Sequence, residues 1–258
     1  MKTVGIEFLQ GEPAAVDDSL SSGCKYRRSS SVTHFQPDQS SLWLSIITFD
    51  DGGELEWSVE HGDEALYVLE GSVSTGGLEC PAGTAVIIES DAKAATVVLP
   101  GTRVAHFGPC DPSSPADGPL GAPHPDGHRI HVIGPRGRWA TSTDDRAVRF
   151  YSDSTCATCR VSLFYVGQRP SYRSPSHIHS QDELTLVLTG SLRIGRGVAN
   201  AGEVMAVAAH QRYSFEAAGP WSFLTYRRDA SFITRDPKSA AVLEKLNPSL
   251  EEVGDVLV

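Results

Sequence analysis

His177 and His179 stand two residues apart in Ser176-His-Ile-His-Ser-Gln-Asp-Glu-Leu-Thr-Leu-Val-Leu-Thr-Gly190, and Glu183 follows after three more residues. On a strand, residues i and i+2 leave the same face, so both imidazoles point one way. Two neutral imidazoles and one carboxylate brought to a point suit a divalent transition ion such as Fe, Mn, Zn or Ni. The residue types do not choose among these four. The apolar run Leu184–Leu188 after the carboxylate predicts a buried strand that would fix its position.

The pattern HxH, three residues, Glu, six residues, Gly resembles the first motif of the cupin superfamily of small double-stranded β-helix barrels. The family's second motif runs Gly, five residues, Pro-x-Gly, two residues, His. Here Gly202 begins it and Ala208 follows, with His210 where the second Gly is usual and Tyr213 where the ligand histidine is usual. The resemblance implies a metal held by His177, His179 and Glu183, with Tyr213 at the fourth position. Tyr213 then acts either as a phenolate ligand or as a phenol that gives or takes a proton. His210 either swings in as the fourth ligand or serves as an acid/base at the rim. Position favours Tyr213 as the closer of the two, because it falls on the returning strand and His210 in the turn before it.

The module occurs twice. Glu64 and Glu183 are 119 positions apart, as are Gly71 and Gly190, and Gly83 and Gly202. Leu42–Phe49 falls by the same offset on the strand-like run beginning at Val161. An ungapped offset over a whole module indicates internal duplication, and two cupin copies make a bicupin. The expected fold class is therefore all-β, two tandem cupin (jelly-roll) barrels. In the first copy Ser58 and Glu60 replace the motif histidines, and Asp91 and Ala94 stand for His210 and Tyr213. The metal is thus expected once per chain, in the second barrel, and the first barrel reads as structural.

Around the site the chain divides into an irregular or edge-strand arm (1–41), a first barrel (42–109), and a linker with a connecting strand (110–146). The second barrel (147–230) and a tail with one short helix over 239–246 complete it. Stepping by two from Glu183 turns Thr185 and Val187 inward. Thr185, Arg193, Phe215 and Tyr226 are the expected substrate-binding side chains on the pocket wall.

At 258 residues, with a net charge of −10 and 40% hydrophobic residues, the chain is of ordinary globular composition. That charge argues against nucleic acid and anionic membrane as partners. No apolar run reaches membrane-spanning length, and the N-terminal residues lack a signal-peptide core. Five cysteines without a secretion signal favour reduced thiols and a cytoplasmic location. Cys156-Ala-Thr-Cys159 lacks a second CxxC and a thioredoxin-like context, so it reads as a pair of ordinary thiols. His124, His128 and His131 follow a Pro/Gly-rich stretch and read as solvated.

Two histidines and a carboxylate with open positions match the facial set of non-haem iron(II) oxygenases. The expected function is a metal-dependent enzyme acting on a small organic molecule, with an oxygenase first. The alternatives are an oxygen-independent isomerase, lyase or aminohydrolase (the ureidoglycine aminohydrolases are bicupins of this kind), and a non-catalytic binding protein. A homodimer joined through the N-terminal arm or an outer barrel sheet is also expected. Elemental analysis of protein purified without an affinity tag should find one metal per chain, lost in His177→Ala and kept in Glu60→Ala.

Overall fold

The computed structural model describes residues 5–15, 23–58, 60–112, 129–153, 156, 158–229, 233–235, 251–252 and 256–257. These residues form strands and turns without a helix, and the helix expected over 239–246 lies outside them.

The arm contributes β1 (Ile6–Leu9), β2 (Glu12–Ala14), β3 (Cys24–Arg27) and β4 (Ser31–Phe35). The first module continues as β5 (Leu42–Phe49), β6 (Gly53–Trp57), β7 (Glu64–Glu70), β8 (Ser72–Thr75) and β9 (Leu78–Pro81). It closes with β10 (Ala85–Ile88), β11 (Ala94–Val98) and β12 (Thr102–Pro109). A connecting region carries β13 (Ile130–Ile133), β14 (Trp139–Ser142) and β15 (Arg146–Ser152). The second module runs β16 (Ser162–Gln168), β17 (Tyr172–Arg173), β18 (His177–His179), β19 (Glu183–Thr189), β20 (Ser191–Ile194) and β21 (Gly197–Asn200). It ends with β22 (Val204–Val207), β23 (Glu216–Ala217) and β24 (Trp221–Arg227), after which β25 (Ile233–Arg235) pairs with β18.

The repeat offset survives as topology. One sheet carries the order β10-β7-β12-β5-β4 and another β22-β19-β24-β16-β15, strand for strand the same. Register is kept too: Ile88 pairs with Glu64 as Val207 pairs with Glu183, and Gly108 with Trp43 as Arg227 with Ser162. The smaller sheets also correspond, β6-β11-β8-β9 to β17-β23-β20-β21. They differ in extent. β6 and β11 pair over five residues, whereas β17 and β23 pair over two. The first barrel is sealed further by β3 on β6, and the second sheet stops at β17.

The edges are exchanged between the barrels. β1 precedes the first barrel but pairs with β22 of the second, Ile6 opposite Val207. β13 precedes the second barrel but pairs with β10 of the first, Ile133 opposite Ala85. Exposed strand edges are sites of unwanted pairing, and here each barrel covers the edge of the other. The described part of the arm takes the edge-strand form of the expectation: β1 to β4 all pair within the chain, and β2 and β3 are end strands of their sheets.

Strand alternation divides the apolar residues among three cores. Leu184 and Leu186 face away from the second barrel's interior and join Ala65, Tyr67, Ala105 and Phe107 in a core between the barrels. Tyr26, Phe49, Leu55 and Trp57 help to fill the first barrel. Val187, Met205, Tyr213 and Phe223 belong to the core of the second. Cys156 and Cys159, expected as reduced thiols, are joined as a disulfide.

Gly108, the repeat counterpart of Arg227, lies where any side chain would collide with the first barrel's filling. A Cβ there would sit 2.3 Å from Trp43 Cζ2 and 3.1 Å from Glu64 Cγ. Overpacking of this kind costs about 1–3 kcal/mol. Gly108→Ala should therefore lower the urea midpoint, and an unchanged midpoint would mean the first barrel is packed more loosely than described.

Candidate active site

The two cupin motifs are laced together by backbone bonds. His177 N–H donates to Tyr213 O and Tyr213 N–H to His177 O, both at 3.0 Å. His210 N–H donates to His179 O at 2.7 Å, and Ala209 N–H to Asp182 Oδ1 at 2.8 Å. This pairing brings the His177 and Tyr213 rings to 4.4 Å between centroids, with the His177 and His179 rings 4.9 Å apart. His177 Nδ1 lies 2.7 Å from Pro175 O. A carbonyl only accepts, so Nδ1 carries the proton and Nε2 the lone pair, the arrangement common in metal-ligating histidines.

Glu183 is the hub. The Tyr213 hydroxyl donates to its Oε1 at 2.7 Å. Arg227 donates to Oε2 from Nε at 3.0 Å and from Nη2 at 2.5 Å. The same Nη2 is 3.3 Å from His179 Nε2, which itself lies 3.7 Å from Glu183 Oε2. The guanidinium also rests over the Phe164 ring, 5.0 Å from its centroid, as a cation–π contact. Burial alone would push the Glu183 carboxyl up, but Arg227, His179 and the phenol hydrogen bond outweigh it and hold it down at about 2. Burial, then the Glu183 charge, push the Tyr213 phenol well above its usual range, so it is protonated near neutrality.

This cluster forms the polar part of a cavity of about 380 Å³, whose other walls include Phe150, Phe164, Phe223 and Trp221. Thr185 and Phe215 line it as expected. Three predicted residues do not line it. Arg193 is exposed because β20 alternates, turning Leu192 and Ile194 inward and Arg193 out. Tyr226 sits between the inward Thr225 and Arg227, so it faces the other barrel. There it stacks on Phe107 at 5.4 Å and donates to Asp63 O at 3.1 Å. His210 is exposed in the turn with φ 62°, outside the cavity.

Arg227 is a site residue that the sequence reading missed. Alternation along β24 from Phe223 would have turned it inward, and its counterpart Gly108 shows that the two barrels differ there. Arg146, at the start of β15, also lines the cavity and was missed; its position depends on how β15 pairs with β16. In the first barrel the equivalent carboxylate is enclosed. Trp57 Nε1–H donates to Glu64 Oε2 at 2.7 Å and His106 Nε2–H at 2.8 Å, while the Tyr26 hydroxyl lies 2.9 Å from His106 Nδ1. Glu60 is exposed, and both ring nitrogens of His61 face loop carbonyls of Gly62 and Ala92.

The donor set of His177, His179 and Glu183, with Tyr213 beside them, fits a divalent transition ion in chemical type, although with Arg227 on Glu183 their three ligand atoms do not all lie within 4.8 Å of one another. Arg227 is its competitor, since Glu183 Oε2 cannot serve both an ion and the guanidinium.

Two stacked cupin barrels with matching strand order define the class, and the chain has the bicupin fold. Solved structures similar to it include those of oxalate decarboxylase from Bacillus subtilis. One, from work on its Mn(II) centres, is 16% identical with a TM-score of 0.60, covering 86% of this chain and 80% of that one. Another, at pH 4.6, is 13% identical with a TM-score of 0.61, covering 90% and 84%. A point mutant of the same enzyme is 13% identical with a TM-score of 0.60, covering 91% and 87%. No family model matches the sequence, and no curated relative is found.

A depressed carboxyl pKa adds stability above the unfolded-state value, and the contribution is lost as pH falls through the folded value. In metal-free protein the Glu183 contribution is thus complete above about pH 4.5 and lost toward about pH 2. It is on the order of 3 kcal/mol. Arg227→Met should raise the Glu183 pKa and move acid unfolding to higher pH, which denaturant titrations at several pH values would measure.

Proposed function

We propose that the second barrel is a metal-dependent, oxygen-independent lyase that removes a carboxylate from a small organic acid. The observation that carries this reading is Arg227, a guanidinium on the cavity wall within hydrogen-bond reach of the ligand cluster. Guanidinium groups match carboxylates with two parallel donors, and Arg146 supplies a second cation to the same cavity. The structural neighbours are decarboxylases of a dicarboxylate, which supports the lyase alternative over the oxygenase reading.

His177, His179 and Glu183 would hold the ion, with manganese first among Fe, Mn, Zn and Ni because the neighbour has Mn(II) centres. When bound, the ion supplies Lewis-acid polarisation of a chelating carboxylate. The protein's own groups do the rest. Arg227, released from Glu183 in the loaded site, pairs with the substrate carboxylate, while the aromatic walls exclude water. Cleavage of the C–C bond frees CO2 and leaves an electron pair on carbon. The Tyr213 phenol gives its proton to that carbon, and the phenolate regains one from solvent. In this reading Tyr213 is a proton donor rather than a fourth ligand.

Tag-free protein loaded with Mn(II) and offered oxalate, malonate and 2-oxo acids under argon should release CO2. His177→Ala should lose metal and activity together. Tyr213→Phe should keep its metal and lose roughly a hundredfold in kcat, the usual worth of a positioned acid. Oxygen uptake in step with substrate loss would restore the oxygenase reading in place of this one.

A further inference from the structure

A second set of metal-ligating side chains lies away from the cavity. Cys156 and Cys159 precede β16, and His131 lies on β13, the strand exchanged into the first barrel. Their ligand atoms fall within 4.8 Å of one another, and among the described residues this is the only such group of three His, Cys, Asp or Glu ligands. We propose that the reduced pair and His131 form a site for a thiophilic divalent ion of the Zn(II) class, opened and closed by the Cys156–Cys159 disulfide.

Four features support this beyond the proximity. His131 Nε2 is 2.7 Å from Glu89 Oε1, and both side chains are largely buried. A carboxylate behind a histidine orients the ring and raises its basicity toward a metal. Donors already face the sulfurs: Cys159 N–H lies 3.2 Å from Cys156 Sγ, and the Ser152 hydroxyl 3.2 Å from Cys159 Sγ. Hydrogen bonds onto sulfur favour the thiolate, which is the ligand form. A cavity of about 10 Å³ adjoins both cysteines, His131, Ser152 and Arg138. That volume is roughly what one water needs, so a fourth position is at hand. Finally, Glu89 offsets the Arg138 guanidinium, so the two thiolates formed on binding balance the charge of a divalent ion.

The chemistry balances with a dithiol reductant. The disulfide takes two electrons and two protons from the dithiol, which itself becomes a disulfide. The two thiols then release two protons as they bind the ion. Reoxidation by a disulfide of the same class reverses both steps and expels the ion. Because His131 belongs to a strand of the first barrel and the cysteines to the second, the loaded site joins the two barrels.

Full-length protein carrying His177→Ala, which empties the cavity site, is reduced with dithiothreitol, freed of it anaerobically and titrated with Co(II). A thiolate-to-cobalt charge-transfer band should grow to one ion per chain. It should be absent from oxidised protein and from Cys156→Ser and Cys159→Ser. His131→Ala should weaken binding by at least about tenfold. No band in the reduced protein would overturn the proposal, as would a band that survives either serine variant or ignores His131→Ala. If the serine variants do not fold, zinc-edge X-ray absorption on the reduced, zinc-loaded His177→Ala protein decides instead. Two sulfur ligands with an imidazole nitrogen are expected, and a shell of oxygen and nitrogen alone would overturn the site.

Discussion

A carboxylate buried without a partner is too costly to keep, and both barrels bury one at the same place. Glu64 and Glu183 occupy equivalent positions on β7 and β19, each nearly inaccessible to solvent. In the first barrel the answer is Trp57 and His106, two rings that donate to the carboxylate and fill the space around it. In the second the answer is Arg227 and Tyr213, beside which a cavity of about 380 Å³ stays open. One duplicated module thus becomes a sealed core in one copy and a cavity in the other.

The difference propagates outward from the partner chosen. Gly108 has no side chain because Trp43 and Glu64 take its space, whereas Arg227 at the same register position extends to Glu183. The sealed barrel pairs β6 with β11 over five residues and adds β3 outside them. The open barrel keeps only two-residue pairing between β17 and β23, and Tyr172 of β17 lines its cavity. The sealed copy also stabilises the open one. Their shared core, the Phe107–Tyr226 stack and the exchanged β1 and β13 bury faces that neither barrel could cover alone. A fold that spends half its chain on a closed partner can tolerate a charged, incompletely packed pocket in the other half.

The disulfide region illustrates a limit of local reading. CxxC without a second CxxC carries no metal signal by itself, and a histidine after a Pro/Gly-rich stretch reads as solvated. Their meeting depends on β13 leaving its own barrel to pair with β10, a long-range choice that no local pattern expresses.

What the sequence determined by itself was whatever depends on short spacing or on the repeat. The shared face of the HxH pair and the period-2 turn of Thr185 toward the cavity follow from local spacing, and the doubling from one constant offset; the barrel fold and the place of Tyr213 follow from the resemblance to the cupin motifs. Tertiary structure decided the rest. The turn at Gly190 resets the alternation, so Arg193 points away from the cavity, and the phase of β24 turns Tyr226 toward the other barrel and Arg227 in. The arm's strands became edges of both barrels because unpaired backbone donors and acceptors must find partners wherever the fold leaves them. The counter-charge for Glu183 came from a residue 44 positions away, because electrostatic pairing depends on distance in space and not along the chain.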